Sequence, residues 1–151
     1  MTVTSENGRF GNQFFRNIAV SLIAEKHQLQ VKYCQNTLFR ELGLELFSGT
    51  QSYDEVIDLD ECNYFKVLSN PTLNANLNPN NAYFQTKPIS DRIYQYLRRP
   101  DVQNRIITAN PYREKYQQNN DCFVHVRLTD AAKWNVGVDY YLQVLSLCSG
   151  C

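Results

Sequence analysis

Two short stretches hold residue types whose spacing could do chemistry. The first is Gly8-Arg9-Phe10-Gly11-Asn12-Gln13, lying just ahead of a long apolar pattern of helical period. Glycines at such a place let the backbone come close to a ligand. Free N–H groups at a helix start, together with the helix dipole, favour a phosphate or a sugar oxygen. Gly8, Gly11 and Asn12 are therefore candidate binding residues. The pattern is equally that of a tight turn whose polar residues cap the helix. It is neither a dinucleotide fingerprint nor a Walker loop, since the third glycine and the Lys-Ser/Thr pair are missing. The second stretch is His125-Val126-Arg127-Leu128-Thr129-Asp130, at the end of the β-forming run that starts at Cys122. Alternation along a strand aims His125 and Arg127 the same way, and ligand crevices in open α/β sheets lie beyond the carboxyl ends of strands. Arg127 can give a permanent bidentate cation to phosphate oxygens, and Asp130 can orient Arg127 or His125. An Arg-Asp ion pair beside a satisfied histidine fits the same residues.

The elements that must position these stretches follow from periodicity. Thr2 to Thr4 is β-favouring and runs into the glycine segment. Phe14, Phe15, Ile18, Val20, Leu22, Ile23 and Leu29 cover more than one helical stripe, as for a helix buried against a sheet, and Gln30 to Cys34 alternates like a strand. Strand, glycine turn, helix, strand opens a βαβ unit with a parallel strand pair. Further on, the spacing predicts a helix over Leu38 to Phe47, interrupted at Gly43, and strands over Val56 to Leu59 and Tyr64 to Leu68. Asn70 to Asn81, rich in Asn and Pro, reads as a surface loop. Ser90 is placed as the N-cap of a helix ending near Arg99, before Pro100, and helices are expected over Asp101 to Thr108 and Tyr140 to Leu147. The fold class expected is α/β, a Rossmann-like parallel sheet with flanking helices.

Composition narrows the partners. The 151 residues include 15 Lys+Arg and 15 Asp+Glu, so the net charge is zero, and 43% are hydrophobic. That supplies a core and leaves no basic field for nucleic acid or an anionic membrane surface. Cys34, Cys62, Cys122, Cys148 and Cys151 are scattered and odd in number, which suits a reducing compartment. No secretion signal or membrane span is legible, so the expected location is cytoplasmic. The Cys148/Cys151 pair lacks the further ligands a zinc site needs, and no metal site is expected. His27 reads as a solvated helix-end residue.

Three segments together carry a family resemblance. Gly8-Arg9-Phe10-Gly11-Asn12-Gln13-Phe14-Phe15 resembles the glycine-x-x-glycine-Asn-Gln opening of glycosyltransferase family 11, the alpha-1,2-fucosyltransferases, and the same loop of protein O-fucosyltransferases. His125 to Asp130 resembles their His-x-Arg-Arg-Gly-Asp motif, and Asn135-Val136-Gly137-Val138-Asp139-Tyr140-Tyr141-Leu142 resembles the helix start that follows it. The resemblance implies a GT-B-like fold and transfer of fucose from GDP-fucose, a nucleotide sugar, to a hydroxyl of a glycan acceptor with inversion, without a metal or other cofactor. It implies that Arg127 contacts the β-phosphate and helps the diphosphate leave, that His125 shapes the nucleotide pocket, and that Asn12 holds sugar or acceptor. Residues 1–118 would be the acceptor-side α/β domain and residues 119–151 the start of a truncated donor domain.

The sequence departs from that motif at Leu128, which removes a positive charge, and at Thr129, whose β-branched side chain restricts the turn where the family has glycine. These departures and the short chain are the support for a competing reading, a non-catalytic remnant that at most binds acceptor or a partner. Such a fragment is expected to expose an apolar sheet edge and self-associate. A third reading is an unrelated nucleotide- or phosphate-binding α/β domain using the same two loops.

Overall fold

The computed structural model describes residues 1–115 and 137–148, with side chains through residue 146. Met1–Arg113 and Glu114–Cys151 form two compact units. The first unit runs β1 (Thr2–Val3), α1 (Phe10–His27), β2 (Val31–Lys32), α2 (Asn36–Glu41), β3 (Val56–Asp58), α3 (Tyr64–Ser69), β4 (Asn76–Asn78), α4 (Lys87–Leu97) and α5 (Pro100–Ala109), and a 3-10 turn at Arg113–Lys115 follows across its boundary. In the second unit the described element is α6 (Val138–Cys148), whose side chains from Val138 to Leu145 are largely exposed. No helix among the described residues is long and apolar enough to cross a membrane.

The fold is mixed helix and strand, built on parallel pairs. β1 pairs with β2 in the register Thr2↔Val31, and β3 pairs with β4 in the register Val56↔Asn76. The two pairs meet at β1 and β4 through side chains. The Leu77 N–H donates to the Thr2 hydroxyl at 2.9 Å, and the Ser5 N–H donates to the Asn80 side-chain oxygen at 2.8 Å. Helix α1 is the centre of the core. Ile18, Ala19, Val20, Leu22, Ile23 and Ala24 are all buried, so the helix is enclosed on several faces as its multiple apolar stripes require. Its buried polar side chains are correspondingly bonded: Asn17 donates to the Cys34 carbonyl, and the Ser21 hydroxyl accepts from the Phe47 N–H. Phe10 and Phe14 seat the start of α1 on Phe39 of α2, with ring centroids 5.7 and 5.8 Å apart. The far end closes through the left-handed Gln28, at φ 56°, and a Leu29 N–H bond to the Ala24 carbonyl.

Several sequence expectations need correction. Tyr64 to Leu68 is helix α3 and not a strand. The Asp60 carboxylate accepts the N–H groups of Cys62 and Asn63, which folds the chain into a turn, and Tyr64 and Val67 then share a buried helical face, with the Tyr64 hydroxyl donating to the Ala19 carbonyl. The Asn-rich stretch expected to be a loop contains β4, whose Asn76 and Asn78 bond to Tyr53 and Asp58 across the pair. Ser90 lies inside α4, its N–H donating to Thr86, which is the N-cap. α4 stops at Leu97, and Pro100 opens α5 where its missing N–H costs nothing. α2 ends at Glu41, because Gly43 takes φ +74° and a Cβ there would sit 2.4 Å from the Arg105 carbonyl oxygen.

Candidate functional site

Gly8 alone makes the turn between β1 and α1. It has φ +82°, and a Cβ on it would lie 2.7 Å from the Asn12 side-chain nitrogen, so the position is closed to other residues by both backbone and space. Gly11, expected to bracket the same turn, is instead the second residue of α1. It has no left-handed φ, and a Cβ on it would meet nothing within 4 Å. The fold does not require glycine there, although glycine within a helix costs roughly 0.5–1 kcal/mol relative to alanine. What the absent Cβ does provide is open space directly over the helix start.

The peptide groups of the turn are all oriented one way, and α1 itself orients them. Arg16 Nη1 donates to the carbonyls of Ser5 and Asn7, at 3.2 and 3.0 Å. Gln13 Nε2 donates to those of Glu6 and Gly8, at 2.9 Å each. No peptide bond is cis, so each N–H points opposite to the carbonyl before it. The N–H groups of Glu6, Asn7 and Gly8 therefore face away from Arg16 and Gln13. These three, with those of Phe10 and Gly11 in the first turn of α1, donate to no acceptor among the described residues. α1 has no acidic residue in its first turn and no side-chain N-cap bond. The result is a set of backbone donors, unbonded among the described residues, at the positive end of an 18-residue helix, with the chemistry to hold an oxyanion or a hydroxyl oxygen.

One wall of the cradle comes from distant sequence. Tyr83 lies against Gly8 with its ring 5.5 Å from the Arg16 guanidinium and is 45% exposed. Gln85 donates to the Asn12 side-chain oxygen at 2.8 Å, which commits that oxygen and turns the Asn12 nitrogen toward the turn. Between them Phe84 is buried against Tyr64 at a left-handed φ of 58°. The Glu61 carboxylate holds this bend by accepting the N–H groups of both Tyr83 and Phe84, at 2.9 and 2.7 Å.

Arg16 is wholly buried, a fact its sequence neighbours conceal. Besides the bonds from Nη1, its Nε donates to the Ala82 carbonyl at 3.1 Å, and its Nη2 has no partner. It forms no ion pair among the described residues. The Ser5 hydroxyl, on the same turn, is likewise buried without a partner. Sequence reasoning missed Arg16, Tyr83, Gln85 and Glu61. Only Arg16 left a signal, as a charge on a helix face that is otherwise core, with no acidic residue spaced to meet it.

Of the residues singled out by sequence, Gly8, Gly11 and Asn12 come together at this turn. His125, Arg127 and Asp130 lie outside the described residues, as does the strand expected at Cys122 to Arg127. The described clefts of unit 1 lie apart from the turn: one of about 610 Å³ is lined by Leu22, Lys26, Phe65 and Arg92, and one of about 340 Å³ by Glu45, Tyr96 and Arg105. His27 is not a solvated helix end. It is half-buried, with an Nε2 that has no partner, and burial followed by the neighbouring Lys26 lowers its pKa below 6.5. Burial also raises the phenols of Tyr33 and Tyr64 well above their ordinary value. Compared with models of protein families, with curated proteins and with solved structures, the chain matches none.

Proposed function

We propose that this chain is a fucosyltransferase-like polypeptide with a Rossmann-like acceptor-side unit of GT-B type, acting on GDP-fucose and a glycan hydroxyl. The observation that carries the reading is the set of backbone N–H groups of Glu6, Asn7, Gly8, Phe10 and Gly11 that donate to no acceptor among the described residues, at the turn between β1 and the head of the buried helix α1. A sugar-nucleotide enzyme needs such a surface, since its substrate is dense in oxygens that accept hydrogen bonds. The three sequence segments that resemble glycosyltransferase family 11 give the surface a substrate class.

In this reading Gly8, Gly11 and Asn12 hold donor or acceptor oxygens at the turn. Arg127 binds the β-phosphate, His125 shapes the nucleotide pocket, and Asp130 orients its neighbours. Departure of GDP builds negative charge on the leaving oxygen, so a fixed guanidinium lowers the transition state more than the ground state. Calorimetry with GDP and GDP-fucose tests the proposal on the full chain and on Arg127→Ala. Saturable GDP binding that is lost in the variant is the expected result. A folded parent chain that binds neither ligand favours the remnant reading that Leu128 and Thr129 suggest. Equal binding of GDP and unrelated nucleotides favours a general phosphate-binding domain.

A further inference from the structure

We propose that the cleft where α1, α3 and α4 meet is a binding site for a small organic carboxylate with an apolar body. The site is separate from the glycine turn and from Arg127, so it stands or falls without the reading above. Its volume of about 610 Å³ lies within the range of small-molecule sites, roughly 300–1,000 Å³. Leu22, Leu68 and Phe65 build its apolar part. Leu22 belongs to the core, whereas Phe65 stays 43% exposed, its ring meeting Tyr64 edge to face at 5.1 Å between centroids. A large ring left open on the wall of a cavity gives a ligand apolar area to cover.

The charged part of the lining is unbalanced. Lys26, Arg92 and Arg99 face the carboxylate of Glu25, an excess of two positive charges in a chain whose net charge is zero. Two of the three cations are already held. The Lys26 ammonium donates to the Leu68 carbonyl at 2.7 Å. Arg99 reaches the Glu25 carboxylate at 3.5 Å and lies over the Tyr96 ring, 5.2 Å from its centroid. Arg92 differs from both, because its guanidinium has no hydrogen bond and no ion pair among the described residues. Its planar fork matches the two oxygens of one carboxylate. The occupant these features describe has one negative end, which meets Arg92 while Arg99 and Lys26 add to the field, and an apolar body that covers Phe65 and Leu68. A hydrated inorganic anion would leave the apolar wall wet. A neutral apolar molecule would leave the Arg92 fork unused.

The test is calorimetry on the full chain with 1-naphthylacetate, its neutral isostere 1-naphthylacetamide, and sodium acetate. Naphthylacetate is expected to saturate and to bind about tenfold tighter than the amide, the scale of one charge-assisted pair. Acetate, which has no apolar body, is expected to show no saturation over the same range. Arg92→Gln removes the charge from an exposed side chain, so the protein is expected to fold. It should erase the preference for acid over amide and leave amide binding unchanged, whereas a merely structural role for Arg92 would move both probes alike. Phe65→Ala should weaken both naphthyl probes together, by about fivefold, through loss of the aromatic wall. If that variant does not fold, Arg92→Gln decides. A parent chain that does not bind naphthylacetate, or binds it no tighter than the amide, overturns the proposal. An acid preference that survives Arg92→Gln, or naphthyl binding that ignores Phe65→Ala, overturns it too. GDP titrated into the same proteins keeps the two readings apart. Loss of naphthylacetate binding with GDP binding retained overturns this site alone, and the converse overturns the fucosyltransferase reading alone.

Discussion

Gly8 and Gly11 are the same residue type doing opposite jobs, and substitution separates them. Alanine at Gly8 would hold an L side chain at φ +82° and drive a Cβ into the Asn12 amide. The left-handed backbone alone costs about 1–2 kcal/mol. Gly8→Ala is therefore expected to lose about 2 kcal/mol in denaturant unfolding. Alanine at Gly11 meets nothing and improves helix propensity, so Gly11→Ala should gain up to about 0.5–1 kcal/mol. A Gly11→Ala variant less stable than the parent would show that the position is constrained by something other than ligand access. The sequence shows both glycines but not this division, because φ and the space around an absent Cβ are properties of the folded chain.

At the scale of elements, the segment Tyr83-Phe84-Gln85 depends on one carboxylate. Hydrogen bonds to a charged acceptor contribute about 1.5–3 kcal/mol, and Glu61 accepts from both Tyr83 and Phe84. Glu61→Ala should destabilise by about 2 kcal/mol and, by releasing Gln85 from Asn12, weaken ligand binding at the turn as well. Loss of stability with unchanged binding would separate that wall from the site. The packing of α1 on α3 carries a pH dependence of known sign. His27 has a folded pKa lowered from 6.5, so below pH 6.5 the unfolded chain binds more protons and stability is lost as pH falls toward the folded value. The thermal midpoint should therefore decline with falling pH below 6.5, and His27→Gln should flatten that slope. The βαβ opening was legible because α1 is long and its burial writes a period of 3.6 into the residues. α3 and β4 were not. Tyr64 to Leu68 is apolar on both periods, and the turn that decides for helix comes from the Asp60 and Asn63 side chains. β4 begins and ends on asparagine, a residue type that signals a turn. The site was legible only where it is contiguous; Tyr83, Gln85 and Glu61 reach it through tertiary packing.

At the scale of the whole molecule, the core cluster among the described residues runs from Ile18 to Val102 and lies wholly within Met1–Arg113. A chain ending at Arg113 is expected to fold cooperatively, with a thermal midpoint within a few degrees of the full chain. It should lose any GDP binding that depends on Arg127. Circular dichroism melts and calorimetry check this, and a non-cooperative melt would make the second unit part of the folding unit. The seam between the sheets gives a further test. Thr2→Val removes the acceptor of the buried Leu77 N–H at little change in shape, and an unsatisfied buried donor costs about 1–3 kcal/mol.

That seam also sets an order of events during synthesis. β1 is made before its neighbours, and its backbone partner at Val31 follows soon after, but the donor for the Thr2 hydroxyl comes from Leu77, 75 residues later in the chain. Until then one flank of the first strand has no neighbour, and the buried arginine behind the glycine turn lacks the Ala82 carbonyl that completes its seat. The nascent chain must therefore carry an open strand and an unhoused charge until Leu77 and Ala82 have been made.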